Sequence, residues 1–322
     1  MTSTLVLIVA ATLDYLIADP INWLHPVQLM GWIIASFSKL CLRFCQHSLT
    51  QRLAGVLLGI FLIIGTATIS TLMIQFTRSL HPLLGIITES ILLASCFAAK
   101  SLRNAAATVL QPLIMADIER SRQNLRKFVG RDTENLSKTE ILRAVLETVT
   151  ENAIDGVMAP LFYAILGGLI PGVGCVPLAL AYKASSTLDS MVGYKEAPYT
   201  HLGWFSAKTE DILTWVPCRL TVLTLALISG KPMQVWQICD RDATQDPSPN
   251  SGWSECVYAA ILQVQVGGTN SYQGVIKHKP LLGDNIYPIQ PETIDQALKL
   301  TRYCFLLWLG VATSLFLTTA IR

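Results

Sequence analysis

Hydrophobic positions along the chain collect into long runs, at 4–17, 53–76, 83–99 and 303–321. A helix needs about 20 mostly apolar residues to cross a bilayer. The runs 53–76, 83–99 and 303–321 therefore predict spanning helices, the second despite Glu89. The first run is marginal because Asp14 lies near its end. It lacks the basic flank and small-residue cleavage site of a signal peptide, and is read as a retained, short membrane segment.

The most apolar run covers 157–181, 25 residues without a charge, yet it holds Pro160, Pro171, Pro177, Gly167, Gly168, Gly172 and Gly174. Proline removes a helical hydrogen bond and glycine loosens the backbone. A broken or re-entrant hairpin shielded by other helices is the expectation, with a plain span ending in a loop at 172–174 as the other reading. Between 212 and 229, Pro217 and Arg219 leave too few uncharged residues to cross, so this piece is expected to pack against the bundle or lie at its rim.

Two polar stretches, 100–155 and 231–302, separate these runs. The first has helical apolar spacing on both sides of Gly130, with Ser137 as an N-cap and Glu140 three residues later. Two helices joined by a turn are predicted there. The second carries DPSPNSG, GGTNSYQG and LLGDNIYP, which are loop signals, with helical support from pieces such as 255–263. The fold class is all-α: a polytopic integral membrane helical bundle with broken or re-entrant segments and polar cytoplasmic loops, read as one membrane-embedded domain over 1–322. Nine of the 24 Lys and Arg residues fall in 100–155, which the positive-inside rule places in the cytoplasm. The N-terminus is then outside if 4–17 crosses.

Composition supports this class, with 52% apolar and only 14% charged residues against a soluble norm of about 25% charged. A net charge of +2 and no basic stripe interleaved with aromatics argue against a nucleic-acid partner. The eight cysteines are scattered without a C-x-x-C pair and read as small buried hydrophobes. Neither common nucleotide-binding loop nor a G-x-S-x-G elbow is present.

Polar chemistry concentrates at the two ends of the 157–181 run. On a helix, Arg143, Glu147, Glu151 and Asp155 form one stripe. Neighbouring carboxylates repel by a few tenths of a kcal/mol per pair, so a cation is expected. Either Arg143 pairs with Glu147 and water takes the rest, or a divalent cation binds. Beyond the run, Tyr182, Ser186, Asp189 and Gly193 share a face, with Lys183, Thr187 and Ser190 beside it. Such side chains hold phosphate oxygens and metal ions, although polar helix ends at a membrane surface look similar. Lys208, Glu210, Asp211 and Arg219 could serve phosphates and Mg²⁺, or be snorkelling cations beside the belt residues Trp204 and Trp215. His47, His81, His201 and His278 show no metal-ligand spacing and read as structural or exposed.

In order, LDYLIADPINWLHPVQLMG (with Asp14, Asp19, Pro20, His25, Pro26 and Gly31), ETVTENAIDGVMAPLFY, YKASSTLDSMVGYK, GWFSAKTEDILTWVPCRL, SPNSGW and GGTNSYQG resemble the adenosylcobinamide-phosphate synthase (CbiB/CobD) family of cobalamin biosynthesis. The resemblance covers nearly the whole chain. Two positions depart from the pattern: Asp246 stands where a His is expected, and Ser254 where Pro is usual.

The resemblance implies an ATP- and Mg²⁺-dependent ligase that joins a carboxyl of adenosylcobyric acid, a corrinoid, to the amine of 1-amino-2-propanol or its phosphate. For that reaction, metal coordination is expected from Glu147, Glu151, Asp155 and Asp189, with Glu210 and Asp211 as further candidates. Lys183, Lys195, Lys208 and Arg219 would neutralise phosphates. Asn152, Thr187, Ser190, Ser248, Asn250 and Ser251 would hydrogen-bond substrates, and Asp19 and His25 would complete the site. The reagents are cytoplasmic, so both ends of the 157–181 run should share that face of the lipid bilayer. Assembly into a homo-oligomer stays open. A membrane sensor of the AmpE type and a transporter with broken helices are the alternatives, the latter without the duplicated halves it would predict.

Overall fold

The computed structural model describes residues 2–17, 25–194 and 196–321, the last three by backbone alone. Asp19, Pro20 and Lys195 lie outside the described residues. The chain divides into two compact units, one of residues 1–98, 155–214 and 307–322, the other of 99–154 and 215–306. The polar stretches 100–155 and 231–302 thus fall almost entirely in the same unit.

The first unit is a helical bundle: α1 (Thr2–Leu16), α2 (Pro26–Phe44), α3 (Ser48–Leu80), α4 (Pro82–Ala94), a π-helical turn (Ile154–Met158), α8 (Ala159–Leu169), α9 (Cys175–Val192) and the start of α10 (Trp204–Ile228). Helix α9 packs against α2, α3, α4 and α8. Six helical stretches among the described residues are long and apolar enough to cross a membrane: Pro26–Phe44, Ser48–Leu80, Pro82–Ile114, Lys138–Leu169, Trp204–Ile228 and Pro291–Thr318. The expected spans within 53–76, 83–99 and 303–321 are among them, and the chain is an all-α polytopic membrane protein.

Two expectations are corrected. The stretch 26–44 was not read as a span but qualifies as one. The stretch 212–229, read as too short to cross, belongs to the 25-residue helix α10, because the helix begins at Trp204 and accommodates Pro217 in its interior.

The uncharged run folds back on itself. Helices α8 and α9 form an antiparallel hairpin turned at Gly172 and Gly174, whose φ values of +82° and +83° suit glycine alone. The rings of Tyr163 and Tyr182, equally distant from the turn, stack at 5.0 Å. Pro160 cannot donate to the carbonyl of Gly156, four residues earlier. The N–H of Ala98 fills that place at 3.0 Å, so the broken ladder leaves no orphan there in an apolar setting.

The second unit is built around α12 (Ser251–Leu262), whose residues from Gly252 to Ala260 are all buried. Around it pack α7 (Lys138–Ala153), α11 (Pro232–Asp242) and a two-stranded antiparallel hairpin, β1 (Val266–Tyr272) and β2 (Val275–Leu282). Helices α5 (Ala99–Ile114) and α6 (Ile118–Leu125) pack on α7 and on each other. The expected capping box at Ser137 and Glu140 is present. The hairpin was not foreseen within 231–302. Gln273 and Gly274 carry φ values of 51° and 78°, the paired left-handed turn that matches strand twist. Asp132 clamps this turn, accepting from the Gln273 and Gly274 N–H groups at 2.9 Å and from the Ser271 hydroxyl at 2.5 Å. The last helix, α13 (Pro291–Ile321), contributes residues to both units.

Close packing in the first unit depends on small residues, as is usual between membrane helices. A Cβ on Gly55 would lie 2.1 Å from the carbonyl oxygen of Leu202. Gly55→Val is expected to destabilise the fold by about 3 kcal/mol, the upper end of overpacking costs, because the obstructing atom is backbone. Thermal unfolding in detergent followed by circular dichroism measures the loss.

Candidate functional site

The carboxylate stripe finds its cations within the second unit. Glu147 is 2% exposed. Its Oε2 takes the guanidinium of Arg131, while Oε1 accepts from Arg143 at 3.3 Å and from the N–H of Gly267 at 2.8 Å. Gly267 sits at a bulge in β1 with φ +89°, where a Cβ would lie 2.0 Å from the Pro280 carbonyl oxygen. Only glycine lets the backbone turn its N–H onto the buried carboxylate. Asn270 completes the group, its Oδ1 accepting from Arg131 at 2.8 Å and Arg143 at 3.1 Å. Both oxygens of Glu147, expected on a metal, are committed to protein donors.

Glu151 lies one turn further along α7, half-buried, in the fields of Lys279, Arg131, Asp246 and Glu147. Lys279 on β2 pairs with Glu255 of α12 at 3.3 Å, with Glu255 only 1% exposed. The second oxygen of Glu255 is buried with no hydrogen-bond partner. Burial pushes this carboxyl from its ordinary 4.5 up to about 8, Lys279 opposing and Glu151 and Glu147 adding to the rise. For Lys279 burial acts downward, but Glu255, Glu151, Glu147 and Asp246 together push its pKa up, so the ammonium stays charged.

The SPNS segment belongs to the same unit. Asp246 accepts from the Ser248 N–H at 2.8 Å and the Ser251 hydroxyl at 3.1 Å, and Ser248 Oγ accepts from the N–H groups of Asn250 and Ser251 at 3.2 Å each. Asp246, a departure from the family pattern, therefore shapes the loop. Arg219 braces it, donating to the Pro249 carbonyl at 2.8 Å while lying 4.3 Å from the ring centre of Trp253 and 5.4 Å from that of Trp215. Its guanidinium is spent on the protein.

The first unit holds the other expected residues. Asp155 and Asp189 are equally distant in sequence from the Gly172 turn, which carries both to the open end of the α8–α9 hairpin. Gly193 N donates to the Asp189 carbonyl at 2.7 Å. Thr187, Ser190 and, in the second unit, Asn152 bond carbonyls four residues back in their own helices at 2.7, 2.9 and 2.9 Å. Lys208 meets Asp211 at 3.8 Å. Glu210 accepts from Thr214, which also bonds Tyr182 at 2.8 Å. Lys183 is half-buried within electrostatic reach of Cys96. His25 caps α2 through the Val27 N–H at 3.3 Å and lines an apolar cavity of about 340 Å³. None of the eight cysteines forms a disulfide, and seven of them are buried.

Among the described residues no group of three or more His, Cys, Asp or Glu side chains is arranged to hold a metal ion. Mg²⁺ seldom needs such a cage, since it keeps several waters and binds through one or two carboxylates and substrate phosphates. Glu151 and Asp246, which feel each other's charge, are the two carboxylates that could serve in that way.

Sequence reasoning missed Glu255, Lys279, Arg131 and Asn270. A single carboxylate in the apolar piece WSECVYAAIL was the available signal for Glu255, because a charge is costly there unless paired. The partners come from a hairpin whose turn chemistry passed as a loop.

Two predictions follow from this cluster. Glu147→Ala leaves two guanidiniums with little access to water and should destabilise the fold by about 3–5 kcal/mol, read by thermal unfolding in detergent. Glu255 binds its proton more tightly folded than unfolded, so this contribution is complete below pH 4.5 and is lost as pH rises through about 8. The melting temperature should fall across that window, and Glu255→Gln should flatten the fall.

A family model described as CobD/Cbib protein matches residues 7–301. The chain is 54% identical over 297 residues to the cobalamin biosynthesis protein CobD of Synechocystis, spanning 92% of this chain and 87% of that protein. It is 40% identical to CobD of Halalkalibacterium halodurans, over 90% and 89% of the two chains. It is 36% identical to CbiB of Salmonella typhimurium, over 98% and 96%. No solved structure matches. With likeness running the length of both chains, the protein belongs to the CobD/CbiB family and takes part in cobalamin biosynthesis.

Proposed function

We propose that the protein is an ATP- and Mg²⁺-dependent ligase that joins a carboxyl of adenosylcobyric acid to the amine of 1-amino-2-propanol or its phosphate ester. A carboxylate is a poor acylating agent. Transfer of the terminal phosphoryl group of ATP to it gives an acyl phosphate, which the amine attacks to form the amide, releasing phosphate.

The observation that carries this reading is the gathering of Glu151, Asp246, Glu255 and Lys279 beside the SPNS loop in one polar unit. Burial holds Glu255 largely protonated at neutral pH, and Glu147 is matched by Arg131 and Arg143. Glu151 and Asp246 are left to share Lys279, an arrangement that suits a nucleotide arriving with a divalent cation. Glu151 with Asp246 would hold that ion, and the ion would offset phosphate charge. Ser248, Asn250 and Ser251 present hydroxyl and amide groups for substrate amides or phosphates. Asp155, Asp189 and Lys183, on the π-helical turn and α9 of the other unit, are a second set of candidates for metal and phosphate. An antiparallel hairpin in the bilayer would return the chain to the side it left, in keeping with a cytoplasmic supply of all reagents.

The decisive assay supplies purified protein in detergent with adenosylcobyric acid, ATP, Mg²⁺ and each amine in turn. ADP and the corrinoid amide should appear together with at least one amine. No ATP-dependent amide with either would overturn the reading. Asp155→Asn and Asp189→Asn should each abolish turnover while leaving the circular dichroism spectrum unchanged. Normal turnover in both would remove them from the site.

A further inference from the structure

The cations expected on phosphate were Lys183, Lys195, Lys208 and Arg219, but in the second unit Arg219 is committed to two tryptophans and the Pro249 carbonyl. Two cations act on Glu151, namely Lys279 and Arg131. Arg131 is 7% exposed and bound to Glu147 and Asn270, so burial keeps it from a ligand. Lys279 differs in three respects. Its side chain is 30% exposed. Its ammonium has three donors, of which one is directed to Glu255 at 3.3 Å. It stands on β2, a strand fixed by the Gly267 bulge on one side and the Asp132 clamp on the other. Glu255, nearly inaccessible to water, anchors the ammonium from behind.

We propose that Lys279 is the catalytic cation of this site and that its ammonium meets the phosphoryl group that passes from ATP to the substrate carboxylate and is then expelled. This assignment rests on the ligase reading. In the first step a carboxylate oxygen bonds the terminal phosphorus and the bond to the ADP oxygen breaks, its electron pair leaving on ADP. In the second step the amine nitrogen bonds the acyl carbon, the C–O bond to phosphate breaks with both electrons leaving on phosphate, and the surplus proton of the amine passes to solvent. Negative charge shifts among phosphoryl oxygens in both steps. A fixed cation surrounded by carboxylates stays protonated, so Lys279 acts by charge and hydrogen bonding rather than as a base or nucleophile.

Lys279→Met tests this through binding as well as turnover. With Mg²⁺ present, affinity for a non-hydrolysable ATP analogue should fall at least tenfold while affinity for ADP stays within twofold. Amide formation should fall at least 100-fold, and Lys279→Arg should recover part of both. If Lys279→Met does not fold, Lys279→Gln, which keeps a donor toward Glu255, is read in the same way. A folded variant that loses analogue and ADP affinity equally, or neither, overturns the assignment, as does turnover within threefold of the wild type. Failure of the wild type to form any amide would instead defeat the ligase reading, and the nucleotide comparison would still report on Lys279.

Discussion

The second unit depends on one carboxylate that has no water. Donors from three places in the chain, Arg131, Arg143 and the Gly267 N–H, converge on the buried Glu147. Removing a charge from water costs several kcal/mol unless such partners are supplied. Meeting that cost fixes more than the ion itself. The loop holding Arg131 and Asp132 is drawn onto α7, and the β-hairpin is drawn onto both. Once β1 is pinned at its bulge, β2 follows through the ladder, and Lys279 is delivered to Glu255. A structural ion pair thus sets the position of the groups that remain available for chemistry.

The first unit solves a related problem with backbone groups. A chain that enters an apolar medium and returns must break its helix, and each break frees carbonyls that lipid cannot satisfy. Here the break is placed where a neighbouring segment can help: Ala98 supplies the donor that Pro160 lacks, and two left-handed glycines complete the turn. The π-helical turn just before it is a form often found at functional sites, and Asp155 sits within it. The polar residues at either end of the uncharged run can then be brought to the same end of a hairpin without a polar span between them.

Much of this could be read from the sequence, because hydrophobic run length and Pro–Gly interruption are local signals. The helices within 53–76, 83–99 and 303–321, the Ser137 capping box and the folded-back run at 157–181 came from such signals. The span at α10 escaped because Arg219 counted as a bar to crossing. Its stacking on Trp253, and a hydrogen bond to a residue 30 positions away, belong to tertiary structure. The hairpin escaped because GGTNSYQG is rich in turn residues, and only pairing with β2 makes half of it a strand. The carboxylate stripe was legible as a demand for positive charge, but its suppliers were not: Gly267 and Asn270 lie more than 100 residues from Glu147.

That non-local supply also separates the roles within the stripe. Glu147, Glu151 and Asp155 are equivalent by spacing, and a helical wheel gives no reason to treat them differently. Their surroundings do. Glu147 has both oxygens engaged by protein donors, so its charge is balanced before any ligand arrives. Glu151 is half-buried, shares its main cation with Glu255 and Asp246, and is left with a deficit of positive charge. A deficit in a partly enclosed position favours whatever brings a cation with it, and under the proposed ligase reading a nucleotide carrying a divalent ion would do so while presenting phosphate oxygens to Lys279. The arrangement thus places a carboxylate and an ammonium in the same electrostatic neighbourhood, the ammonium held by the buried Glu255 and the carboxylate by α7.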